Sequence, residues 1–158
     1  MTRLTAILLL VAVPTMTRPV ALPSVKWTAM APSAGAAIGG VVMVQLRGVI
    51  SPGGWIYSSN QKPGGPFATQ VIVASGQPFR LAGRIASSAP KAKFDSTLKL
   101  PVETLEQEAV FLVPVKIDAG AGVGRRTVRI EVRYEVCDER VCLPAHAETV
   151  TATVVVIR

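Results

Sequence analysis

From Val41 onward, hydrophobic and polar residues alternate in short runs divided by turn residues, and the three-to-four spacing of an amphipathic helix is almost nowhere found. The clearest run is 127–136. Val128, Ile130, Val132, Tyr134 and Val136 would face a core, while Thr127, Arg129, Glu131, Arg133 and Glu135 face water. A two-residue period held this long predicts a strand and excludes a helix. Further strands are predicted over residues 41–50, 55–58, 69–74, 79–85, 109–117 and 149–157. Turn-rich stretches separate them: Ser51-Pro52-Gly53-Gly54, Lys62-Pro63-Gly64-Gly65-Pro66, Ser75-Gly76-Gln77-Pro78 and Ala119-Gly120-Ala121-Gly122.

About seven strands in one domain-sized stretch predict an all-β fold, an immunoglobulin-like antiparallel β-sandwich, with a small barrel as the alternative. Residues 41–158 form the expected domain. Residues 22–40, rich in Ala, Pro and Gly, are expected to be an extended or disordered lead-in. Residues 91–107 carry mixed charge and little periodicity, and are expected to be a long connection of the kind that often has a function.

Composition bears on compartment and partners. Arg3 followed by the apolar run 4–13 and Pro14 predicts a signal peptide over residues 1–21, too short to cross a bilayer comfortably. The mature chain is then expected without a membrane span, in an oxidising space such as the periplasm. The net charge is +7, but the basic residues are spread from Lys26 to Arg158, which argues against nucleic acid as a partner. Arg125, Arg126, Arg129 and Arg133 are mostly explained as the solvated face of a strand.

Both cysteines, Cys137 and Cys142, lie in the single segment Tyr134-Glu135-Val136-Cys137-Asp138-Glu139-Arg140-Val141-Cys142-Leu143-Pro144. A disulfide ring this small would stabilise the fold by only about 2 kcal/mol, less than a bond between distant strands. That invites a redox role, while a permanent local clasp in a secreted protein-binding β-sandwich stays open as the alternative. His146 follows at a spacing that metals accept, but two thiols and the chain's one histidine fall short of the four ligands of a structural zinc site, so no metal is expected. Nothing in the sequence defines a hydrolytic nucleophile with its base.

The cysteine segment, together with the upstream Gly54-Trp55-Ile56-Tyr57-Ser58 and Pro63-Gly64-Gly65-Pro66, resembles the N-terminal periplasmic domain of DsbD, the thiol:disulfide interchange protein, over nearly all of residues 41–158. The resemblance implies an immunoglobulin-like domain that passes reducing equivalents through one reversible cysteine pair, Cys137 and Cys142, with no cofactor. It makes Cys142 the exchanging sulfur and Cys137 the resolving one. Its implied partners are thioredoxin-fold periplasmic proteins and a membrane electron donor supplied in trans, since full-length members continue into a membrane carrier and a thioredoxin-like domain. Trp55 and Tyr57 match an aromatic pair beside the cysteines, with core packing as the competing role, and Tyr134 flanks the site in sequence. A cap over the cysteines would fall within residues 91–107, where Phe94-Asp95 is the nearest match.

Overall fold

The computed structural model describes residues 21–95 and 98–158; the expected signal peptide, 1–21, lies outside them save for Ala21. One sheet runs in the order β1 (Val25–Met30), β3 (Val41–Ile50), β10 (Glu108–Ile117) and β6 (Phe79–Leu81), with β7 (Ala86–Ser87) also on β10. A second runs β2 (Ala36–Ala37), β13 (His146–Ile157), β11 (Gly124–Tyr134) and β5 (Gln70–Val73). All pairings in these two sheets are antiparallel except that of β2 with β13. The fold is the expected immunoglobulin-like sandwich, and no α-helix occurs among the described residues. The stretch 119–122, expected as a turn, contains a single 3-10 turn at Ala119–Ala121.

Alternation along the long strands builds the core. Val42, Val44 and Leu46 of β3 and Phe111, Val113 and Val115 of β10 meet Val128, Ile130 and Val132 of β11 and Val154 of β13. Each large side chain removed from water contributes about 1.5–3 kcal/mol.

A third sheet, β12 (Val136–Cys137), β4 (Trp55–Tyr57), β9 (Leu100–Glu106) and β8 (Lys91–Asp95), grows from one end of the sandwich. Each of its inner strands adjoins a strand of the sandwich in sequence. The turn Ser51–Gly54, closed by Gly54 N–H donating to Ser51 O at 2.9 Å with Gly53 at φ 76°, carries β3 into β4. Gln107, at φ 64°, stands between β9 and β10, and Glu135 separates β11 from β12. One face of the third sheet presents Ile56, Leu105 and Val136 to the main core, and the other packs Tyr57, Val102 and Cys137 into a small core of its own.

Two expectations are corrected. Residues 22–40, expected as an extended or disordered lead-in, are extended in part but belong to the sandwich: β1 pairs with β3 over six residues and sends Trp27 into the core. Its Ala- and Pro-rich surroundings hid a short alternation of Val25, Trp27 and Ala29. Residues 91–107 are not an unstructured connection but the antiparallel hairpin β8–β9. Its periodicity was hidden because Lys91, Lys93 and Asp95 are the side chains that face Thr104, Val102 and Leu100 across the hairpin.

Trp27 lies opposite Gly48, with its ring edge-on to Tyr134 at 5.4 Å and tilted to Phe111 at 6.2 Å. A β-carbon on Gly48 would stand 2.7 Å from the indole, closer than van der Waals contact permits. Gly48→Ala is therefore expected to cost about 1–3 kcal/mol in urea unfolding. In a Trp27→Ala background the same change should cost almost nothing, since the clashing ring is gone.

Candidate functional site

Cys137 and Cys142 form a disulfide with Cα atoms 4.0 Å apart. The backbone doubles back tightly between them: Asp138 N–H donates to Val141 O and Leu143 N–H to Val136 O, both at 2.9 Å. Asp138 organises the turn. Its Oδ1 accepts from the amides of Arg140 at 2.8 Å and Val141 at 2.9 Å, and its Oδ2 accepts from Arg140 Nη2 at 2.7 Å. The Arg140 guanidinium, and then the two amides, hold the Asp138 carboxyl below the usual carboxylate range. Arg140 also donates to Ala21 O at 3.2 Å, tying the loop to the start of the described chain.

The two sulfurs have opposite surroundings. Cys137 pairs with Trp55 across β12 and β4 and is fully buried. Cys142 is exposed and opens onto a groove of about 860 Å³. Trp55 and Tyr57 share the strand face that lines this groove, and Phe94, Asp95, Pro66 and Phe67 contribute to the same walls. Phe94 is 65% exposed, so it stands at the rim. Tyr57 Oη lies 3.9 Å from Cys137 Sγ and donates to Asp95 Oδ2 at 3.2 Å. Burial, and also the Asp95 carboxylate, raise the Tyr57 phenol above its ordinary value, so it remains a proton donor at neutral pH. Lys93 Nζ sits 3.2 Å from the centroid of the Trp55 ring, a cation–π contact that covers the indole.

The structure thus brings Cys137, Cys142, Trp55, Tyr57 and Phe94 together. Tyr134 is elsewhere: its ring lies in the main core against Trp27 and His146, and its hydroxyl donates to Glu148. It precedes Glu135, so it belongs to the sandwich, while the cysteines belong to the third sheet. The bracing of the loop by Asp138 and Arg140 was missed by sequence reasoning; an aspartate opening a tight turn was the available signal. Lys93 and Phe67 were missed, and no sequence signal marks them. Among the described residues no group of three or more His, Cys, Asp and Glu side chains could hold a metal ion.

A family model described as "Thiol:disulfide interchange protein DsbD, N-terminal" matches residues 25–154. No curated protein matches the sequence. Among solved structures, the N-terminal periplasmic domain of ScsB from Proteus mirabilis is similar at 17% identity with a TM-score of 0.52, covering 82% of this chain and 45% of that one. This chain therefore spans less than half of that one's length. The N-terminal domain of DsbD from Neisseria meningitidis, in its reduced form, is 18% identical over 74% of this chain and 78% of that one, with a TM-score of 0.49.

The lowered Asp138 value carries a pH signature. A carboxyl whose native pKa lies below its unfolded value adds stability that is present above the unfolded value, about 3.9, and lost as pH falls through the lower native one. Thermal unfolding should therefore show wild type losing more stability between about pH 5 and pH 2 than Asp138→Asn does. Parallel curves for the two proteins would show that Asp138 contributes nothing to this loss.

Proposed function

The chain belongs to the DsbD N-terminal domain family of thiol:disulfide interchange proteins, and from that premise we propose that it passes reducing equivalents through the Cys137–Cys142 pair to or from thioredoxin-fold partners in the periplasm. The observation that supports this reading is the unequal burial of the two sulfurs, with Cys142 open to the groove and Cys137 buried in the small core of the third sheet. In this reading residues 1–21 are the export signal, the fold that begins with β1 the exchange domain, and a membrane-borne donor the source of electrons. Among the described residues no helix is long and apolar enough to cross a membrane.

The chemistry follows from access. An incoming thiolate attacks Cys142 Sγ, the new S–S bond forms there, and the Cys137–Cys142 bond breaks with Cys137 leaving as the thiolate. A second thiol of the partner then attacks the mixed disulfide, releasing Cys142 and leaving the partner oxidised. The two electrons and two protons lost by the partner's dithiol end on Cys137 and Cys142. The reverse sequence delivers them to an oxidised partner.

Charge that develops on Cys137 has no water around it. Tyr57 Oη, 3.9 Å away, can turn its proton from Asp95 towards that sulfur and stabilise it. Trp55 and Tyr57 act here as the floor and wall of the exchange site, and Phe94 as a partial cover over it.

A carrier's disulfide should equilibrate with thioredoxin-like couples, between about −120 and −270 mV, whereas a structural clasp falls below about −300 mV. Equilibration in glutathione or dithiothreitol buffers with thiol alkylation is expected to give a value in the first range. Tyr57→Phe should slow exchange by about ten- to a hundredfold, since a hydrogen bond to a charged group is worth about 1.5–3 kcal/mol. A potential in the second range would leave the clasp reading standing instead.

A further inference from the structure

The groove at Cys142 is acidic, although the chain as a whole carries a net charge of +7. Asp95, Glu135, Asp138 and Glu139 line it against Lys93 and Arg140, a surplus of two negative charges. Both cations are engaged, Lys93 over the Trp55 ring and Arg140 with Asp138. Among the described residues no cation forms an ion pair with Glu135 or Glu139. Leu98 and Val141, 43% and 37% exposed, give the same groove an apolar rim beside Phe94.

The exposed sulfur identifies the kind of occupant. A disulfide sulfur is an electrophile, so what enters the groove is a thiolate, and each thiolate brings a negative charge towards the unbalanced carboxylates. A cation beside the incoming sulfur offsets that repulsion, and an anion beside it adds to it. Apolar neighbours can cover the rim without a charge of their own.

We propose that the groove selects its exchange partner by charge: a protein whose reactive cysteine is flanked by Lys or Arg and by an apolar side chain. Anionic small thiols such as glutathione are disfavoured by the same carboxylates. The inference rests on the thiol-exchange reading and adds to it the chemistry of the partner's surface.

The test uses three peptides of equal length, each with one pair of cysteines, flanked by two Lys, two Ser or two Asp. Each reduces the oxidised protein at about 20 mM and about 500 mM salt, with acid quenching, alkylation and rates divided by thiolate concentration. The Lys peptide should react about tenfold faster than the Asp peptide at low salt, and within about twofold of it at high salt. Combining Glu135→Gln with Glu139→Gln should shrink the low-salt ratio several-fold. Equal rates for all three peptides, or a ratio that ignores salt, overturn the charge inference and leave the exchange reading intact. If only dithiothreitol reduces the pair and no peptide does, the exchange reading falls and this inference falls with it.

Discussion

Val136 and Cys137 pair with Ile56 and Trp55, and this two-residue pairing makes the cysteines unequal. The chain runs along the second sheet as β11, leaves it at Glu135 and joins the third sheet. Had it continued straight, the alternation of β11 would have put Val136 into the main core and Cys137 on the solvent face. In the third sheet Val136 still reaches that core, but Cys137 now packs into a small core with Tyr57 and Val102 on the other face. The tight return through Asp138 then brings Cys142 back beside it, on the open side. One sulfur is thereby inaccessible and the other presented, with a bond between them.

A small ring gains little from loop entropy, so stability alone is a weak reason for this bond. The loop keeps its shape by other means. Asp138 gathers two amides and a guanidinium, and Arg140 reaches on to the backbone at Ala21. These contacts do not involve the sulfurs, so they can persist when the disulfide opens. A preorganised loop keeps the two thiols near each other, which favours rapid resolution of a mixed disulfide over its accumulation. Tyr57 adds a proton donor next to the buried sulfur, and Lys93 holds Trp55 in place as part of the wall.

Much of the sandwich was legible because its strands have one wet face and one dry face. The span 41–50 is a strand to the residue, and the run at 127–136 has the predicted burial at each of its apolar positions. Where one sheet ends and another begins was not legible, since Glu135 continues the two-residue alternation that precedes it. The hairpin β8–β9 was missed for a related reason. Its strands belong to a small sheet beside the site, where Lys91 and Lys93 stand where an ordinary strand would carry apolar side chains. The cysteine pair and the Trp55-Ile56-Tyr57 segment were legible as chemistry. Tyr134 was drawn into the site by its closeness in sequence, and the chain's change of sheet separates it from the cysteines.

Exchange through the pair depends most directly on the two sulfurs differing in reactivity, and peptide-resolved alkylation of the fully reduced protein measures that difference. Brief exposure to a small alkylating reagent under native conditions, followed by digestion and mass spectrometry, gives a rate for each cysteine. Modification of Cys142 at least about tenfold faster than Cys137 is the predicted result, because only the thiolate that the reagent can reach reacts. Equal rates, or faster modification of Cys137, would contradict the account.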